Sequence, residues 1–364
     1  MTLAPSTLFR YLGRNFLANF LVLMLILLGV VFVFELVELL RRAANQEGVG
    51  MRLVLEMAAL KMPYTAEIVL PFGVLFGAIY TCWKLNRTQE LVVIRSAGLS
   101  VWQFLSPLVL AALFVGVAAT AFLNPLSSVM LSKYQQLEML NFRKNDSLVT
   151  VSATGIWLRQ PVSDGYALIH AATLDQKEWK MMNVTVLFFD PTDKFLRRLD
   201  SEEAYLKDGY WDIRAPLLND RGGSRQEEAE RIPTELTSGK IEESFADPDT
   251  ISFWNIPEYI RIMTETGFPA IRLSIHFQSL LAQPVLFAAM VLLAATFSLR
   301  PPRFGGTGVM IALGVAAGFF IFFMESMLDA FGVSQKIPAY LAAWTPATVS
   351  LLLGMTALLH REDG

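Results

Sequence analysis

The sequence predicts an α-helical integral membrane protein with six transmembrane helices and an inserted all-β domain. Three observations predict it. The chain has 364 residues, 54% hydrophobic and only 17% charged, whereas a soluble domain carries about 25% charged residues. Its apolar residues gather toward both ends, in runs that approach or exceed the roughly 20 residues a spanning helix needs. Between them the pattern breaks into short segments with a strand-like period. The net charge of −3 leaves no electrostatic footprint for nucleic acid, and no nucleic-acid partner is expected.

The first three spans are read at Phe16–Leu40, Met62–Trp83 and Val101–Leu123. The last three are read at Leu273–Leu299, Val309–Ser326 and Ala339–Leu359. The first run is too long for the apolar part of a signal peptide, and no A-x-A site follows it before "RRAANQ", so it is expected to stay uncleaved. Six spans put both chain ends on one side. That side holds Arg10, Arg14, Lys84, Arg87, Arg95, Arg300, Arg303 and Arg361; the short loops opposite hold Arg41, Arg42, Arg52, Lys61 and Lys336. The modest excess favours cytoplasmic termini. Gly73 and Gly77, and again Gly314 and Gly318, have the G-x-x-x-G spacing. It lets helices approach closely, either within the chain or against a partner span.

Between the third and fourth spans lie "SLVTVSATGIWLRQ", "GYALIHAATLD", "NVTVLFFD", "EEAYLKDGYWDI" and "GKIEESF". They are short, rich in β-branched and aromatic residues, and bounded by Gly, Asp and Pro, which reads as a sandwich or jelly roll. "RGGSRQEEAER" reads as a loop. "NIPEYIRIMTETG" reads as a helix from near Pro257 to Gly267.

No phosphate loop, H-E-x-x-H or G-x-S-x-G occurs. His170, His276 and His360 are scattered, and Cys82 is alone in an apolar run. A chain that is itself an enzyme is therefore not expected, nor is a cofactor or metal. The ionisable residues near the spans carry more weight, because such residues are expensive in a membrane. Glu38 and Arg42 share a helix face, as do Glu35 and Arg42. Glu67 is read as lying near the start of the second span, where a helix N-terminus favours a carboxylate. Glu325 and Asp329 form a polar edge on the fifth. Arg41, Arg42, Arg52 and Lys61 gather against the positive-inside trend. They read either as a grip for anionic headgroups or as ordinary solvated charge.

"NRTQELVVIRSAGLS", Asn86–Ser100, reads as a helix over about 86–98 between the second and third spans. Leu91, Val92, Val93 and Ile94 point in four directions at 100° per residue. Such a helix needs cover on several sides, which a membrane surface alone does not give. Arg87 and Glu90 are three apart and are expected to share one edge; Gly98 can end the helix.

That segment, with "RYLGRNFL" and "GFFIFFMESMLDAFGVSQKIPAYLAAWTP", resembles the LptF/LptG permease family, and the last stretch is most similar to its LptG branch. The resemblance covers nearly the whole chain. It implies a permease of an ABC-type system that extracts lipopolysaccharide from the outer leaflet of the bacterial inner membrane. It implies an LptF-type permease as heterodimer partner, an LptB-type ATPase dimer, an LptC-type single-span protein and a periplasmic LptA-type bridge. It divides the chain into spans 1–3 (1–123), a periplasmic jellyroll-like β domain with flanking helices (124–272) and spans 4–6 (273–364). Glu90, with Arg87 and Arg95, is expected to couple to the ATPase. Arg41 and Arg42, and more weakly Arg52 and Lys61, are expected at the lipopolysaccharide headgroup. Depth alone suggests Phe34, Val37, Phe72, Leu75, Phe319 and Phe323 as cavity lining. The rival readings are a membrane-anchored interaction protein, or a permease of another lipid or lipoprotein exporter.

Overall fold

The structure is a computed structural model. It describes residues 6–44, 50–142, 148–152, 155–162, 165–175, 179–207, 209–220, 223–226, 228–234, 247–265, 270–298 and 307–362. The chain divides into two compact units, one of residues 1–142, 252–254 and 271–364, the other of 143–251 and 255–270.

The first unit is helical. It contains α1 (Ser6–Ala43), α2 (Met51–Arg87), the short α3 (Glu90–Ser96) and α4 (Val101–Ala118). A π-helical turn, Ala119–Leu123, joins α4 to α5 (Asn124–Phe142). With α6 (Ile256–Glu265) assigned to the other unit, the remaining helices are α7 (Ile271–Ser298), α8 (Thr307–Val333) and α9 (Ala339–Glu362). Among the described residues six helices are long and apolar enough to cross a membrane, as the hydropathy predicts. Several run further than expected: α1 begins at Ser6 rather than Phe16, and α8 ends at Val333 rather than Ser326. Helix α2 starts at Met51 rather than Met62, and the third continues through the π turn to Phe142. The helical unit thus extends beyond 123, the boundary expected from apolar length.

Helix α7 is the centre of this unit. In its most apolar window 72% of residues are buried, against 11% for α1 and 17% for α8. Helices α2, α4 and α9 pack on α7, α1 leans on α2, and α8 packs against α9 and α7 with a smaller contact to α2. Glycines make the closest approaches. A Cβ on Gly116 would lie 2.5 Å from the Cα of Pro284, so α4 and α7 meet backbone to backbone. A Cβ on Gly77 would lie 3.0 Å from the Cα of Phe20, and one on Gly73 would overlap the Met24 side chain. Gly314 and Gly318 face Ile79, Leu75 and Phe72 in the same way. Both G-x-x-x-G pairs therefore serve packing within the chain, α1 on α2 and α8 on α2. A half-buried polar contact joins the first of these seams: Asn19 Nδ2 donates to Thr81 Oγ1 at 2.9 Å.

The second unit is an antiparallel sheet of nine described strands. They are β1 (Leu148–Ser152), β2 (Gly155–Val162), β3 (Gly165–Asp175), β4 (Lys180–Phe189), β5 (Phe195–Lys207), β6 (Tyr210–Arg214), β7 (Leu217–Asp220), β8 (Gly223–Gln226) and β9 (Ala229–Pro233). Strands β1 to β6 pair in chain order and β9 closes beside β6. Strand β5 divides its free edge, pairing β6 through Glu203–Lys207 and β7 through Arg198–Asp200. One face of the sheet holds the core, with Leu158, Ile169, Val186, Leu199 and Trp211 buried and Met263 of α6 packed against them.

The expected loop "RGGSRQEEAER" instead supplies β8 and most of β9. All four residues of β8 are exposed, so backbone pairing to β7 forms this strand without the apolar alternation that marks one in a sequence. The expected strand "GKIEESF" lies outside the described residues. Strands β1 to β6 pair as a meander, and the β7–β8 hairpin and β9 depart from it.

Candidate functional site

The basic residues expected at a headgroup converge where α1 ends and α2 begins. Beneath them Leu39, Val54, Met57, Leu131 and Tyr134 form a local core that joins α1, α2 and α5. Every one but Arg52 is engaged by a carboxylate. Arg41 pairs with Glu38 at 2.9 Å. Arg42 donates from Nε to Glu38 at 3.0 Å and from Nη1 to Glu138 at 3.1 Å. Lys61 pairs with Glu35 at 2.8 Å and lies 5.4 Å from the centre of the Tyr134 ring. Glu35 therefore meets Lys61 of α2, not Arg42 seven residues along its own helix. Arg52 is exposed and makes no ion pair among the described residues.

The sequence contains no local signal for Glu138. It lies 96 residues from Arg42, on a helix beyond the apolar run that marks the third span. Glu67 is also placed differently from expectation. Because α2 begins at Met51, Glu67 sits several turns inside the helix, beyond the reach of its dipole. It accepts instead from Ser127 Oγ of α5 at 3.3 Å. Glu325 and Asp329 are half-buried on α8, and Asp329 Oδ1 is buried with no hydrogen bond among the described residues.

The expected lining residues separate into three groups. Phe34 and Val37 of α1 and Phe319 and Phe323 of α8 are exposed, on the two helices the unit covers least. Phe72 is half-buried, edge-on to Phe319 with ring centres 6.2 Å apart. Leu75 is fully buried. It fills the seam opposite Gly318, so it lines no open surface, and depth along a helix does not reveal which way a side chain faces.

The segment between the second and third spans is a helix, but shorter than its pattern suggests. Helix α2 ends at Arg87, and Gln89 turns the chain with φ of 63° before α3 begins at Glu90. Arg87 therefore does not share an edge of α3 with Glu90; it packs over Trp83 of α2 at 5.2 Å. Leu99 N–H donates to Ile94 O at 3.4 Å and Gly98 N–H to Arg95 O at 3.0 Å. With Gly98 at φ 82°, this is a Schellman stop. Ser100 then caps α4 in a capping box with Gln103.

The four apolar residues of α3 divide in two. Leu91 and Ile94 are buried in the chain's own helical core, whereas Val92 is 54% and Val93 66% exposed. Glu90 accepts from Tyr11 Oη and from Thr88 Oγ1, both at 2.9 Å. The Tyr11 contact ties α3 to α1 across 79 residues, beyond any sequence pattern. Arg95 is exposed.

In the sheet unit, a cleft of about 620 Å³ opens where β5 changes partner, lined by Thr185, Asp200, Glu203 and Arg214 among others. Burial pushes the Asp200 carboxyl up, but the Arg198 guanidinium and the Thr185 hydroxyl outweigh it and hold the group below the usual carboxylate range. Glu203 is likewise held low, by Lys180 and Tyr205. None of the residues expected at the site lies here.

The model of a family described as lipopolysaccharide export system permease LptF/LptG matches residues 10–360. The lipopolysaccharide export system permease protein LptG of Haemophilus influenzae is 22% identical over 98% of this chain and 99% of its own length. That of Escherichia coli K12 is 23% identical over 97% and 98%. The LptF protein of Escherichia coli K12 is 27% identical over 47% of this chain and 45% of its own.

Proposed function

The chain belongs to the LptF/LptG lipopolysaccharide export permease family, and from that membership we propose that it is the LptG-type permease of an ABC-type exporter. In this reading it pairs with an LptF-type permease and is driven by a separate LptB-type ATPase. An LptC-type protein inserts beside its spans. Its sheet unit is the jellyroll-like periplasmic domain that passes lipid to an LptA-type bridge, and its termini are cytoplasmic.

The observation that carries the reading is α3. The helix is cornered by Gln89 at one end and Gly98 at the other, seated on its own chain through Leu91 and Ile94, and left with Val92 and Val93 uncovered. Two adjacent valines on a polar connector favour burial by a protein partner. The ATPase meets them there, with Glu90 holding the helix in place and Arg95 at its end. Closure of the ATPase dimer is carried through α3 into α2 and α4.

Lipid enters beside α1 and α8. Arg41 and Arg42, with Arg52 and Lys61 nearby, meet its phosphates with charge-assisted hydrogen bonds. Phe34, Val37, Phe72, Phe319 and Phe323 meet its acyl chains. Purification with the partner proteins, followed by mass spectrometry of bound lipid, tests the assignment. Co-purification of the ATPase and lipopolysaccharide is expected. Recovery of the chain with neither, from membranes that contain both, would refute it. Replacing Arg41 and Arg42 by Glu is expected to abolish export while the protein stays in the membrane.

A further inference from the structure

Arg42 is held in a way that conflicts with a simple phosphate grip. A guanidinium binds an anion bidentately along one of two edges, Nε with Nη2 or Nη1 with Nη2. Glu38 occupies Nε at 3.0 Å and Glu138 occupies Nη1 at 3.1 Å. Each edge therefore has one of its two donors already taken. Arg41 differs: its side chain is 76% exposed and Glu38 is its only carboxylate among the described residues.

The two carboxylates on Arg42 are not equivalent. Glu38 is one turn away on α1 and also serves Arg41, so its departure would strand Arg41, which has no other carboxylate among the described residues. Glu138 comes from α5, and Arg42 is its only ion-pair partner among the described residues. Its release strands none.

We propose that Glu138 is a displaceable counter-ion of the headgroup site, which leaves the Nη1–Nη2 edge of Arg42 when a lipid phosphate takes it. The inference rests on the headgroup reading of Arg41 and Arg42. Its consequence is mechanical. The Arg42–Glu138 pair ties the end of α1 to the far end of α5, so phosphate binding exchanges a link between helices for a link to the lipid. Glu138 is thus a positioning residue that sets how readily Arg42 is available.

The test is a double-mutant cycle on the full chain purified with its partners, with lipopolysaccharide as the probe. Glu138→Gln keeps the shape and removes the competing charge. An exposed pair of this kind sets an affinity change of about two- to fivefold, so tighter binding by that factor is expected. Arg42→Gln is expected to weaken binding. In the Arg42→Gln background Glu138→Gln should add nothing, because a counter-ion acts only through its cation. Glu138→Asp, which retracts the carboxylate, should fall between wild type and Gln. Inorganic phosphate at matched concentration should compete poorly; full displacement by it would move the site from lipid headgroup to free anion and overturn the proposal.

Unchanged or weaker binding by Glu138→Gln, or equal tightening with and without Arg42, would also overturn it. If Arg42→Gln weakens binding and Glu138→Gln does not tighten it, the counter-ion role alone falls. If Arg42→Gln binds as wild type, the headgroup reading falls, and the counter-ion role with it.

Discussion

Replacing Val92 and Val93 together by Ser should detach the ATPase without disturbing the fold. Fully burying a valine side chain is worth about 1.5–3 kcal/mol. With 54% and 66% of these residues free, a partner that covers them gains roughly 1–2 kcal/mol from each, scaled from that range. The pair then supplies about 2–4 kcal/mol, and each 1.4 kcal/mol is tenfold in affinity. Association should weaken at least about 30-fold. Titration of the purified ATPase subunit onto the permease in detergent or nanodiscs measures it directly. The contrasting variant is Ile94→Ala. Ile94 is buried in the chain's own core, so its loss should cost stability of about 2–5 kcal/mol, as such truncations do, and lower the yield of folded protein. An affinity for the ATPase unchanged by the double serine variant, at normal thermal stability, would refute the division of α3 into an inner and an outer face.

Gly116→Leu should separate α4 from α7, since even a Cβ there meets the Pro284 backbone; an overpacking cost of about 1–3 kcal/mol or more should appear as a lower melting temperature. Gly98→Ala meets no neighbour but forces a side chain into φ 82°. It should cost about 1 kcal/mol, visible as faster hydrogen exchange in α3 while α4 stays protected. Tyr11→Phe removes the donor to Glu90 and should lower coupling, measured as lipid-stimulated ATP turnover, more than it lowers ATPase binding. The sheet unit should weaken in acid. Asp190 is held low by the Lys194 backbone N–H and by Thr192, and Asp200 and Glu203 are also lowered. A carboxylate with a depressed folded pKa stabilises fully above its unfolded value of about 4 and loses that contribution as pH falls through the folded value. Hydrogen exchange of β4 and β5, corrected for intrinsic rates, should rise below about pH 4, and less steeply so in Asp190→Asn.

The spans were legible because a bilayer demands long apolar runs, and strands β3 and β4 because β-branched and aromatic residues gather there between Gly and Asp. What escaped reading lacks such a signature. The first turns of α2 carry Arg52, Glu56 and Lys61, which interrupt an apolar window without interrupting a helix. Gln89 gives no turn signal, yet it breaks the segment that would have joined Arg87 to Glu90. The basic cluster was visible as residue types on one side. Its carboxylates were not, because Lys61–Glu35 and Arg42–Glu138 are contacts between helices. The G-x-x-x-G pairs showed that some helix comes close, but spacing does not name the neighbour.

The π turn at Ala119–Leu123 has a geometric consequence for everything after it. A π turn of this kind usually carries one more residue than the α-helix around it, and one residue is 100° of rotation. Its Ala121 carbonyl accepts the Trp254 indole N–H at 3.2 Å. Helix α5 therefore runs out of angular phase with α4, and a stripe extrapolated from the third span would point to the wrong side. Removing a single residue from this turn should swing Glu138 about 100° around the helix axis, away from Arg42, without altering any residue of the charged cluster itself. A one-residue deletion here would thus rewire the site from a distance, and length variation in this turn among related permeases would mark which of them share the Arg42–Glu138 link.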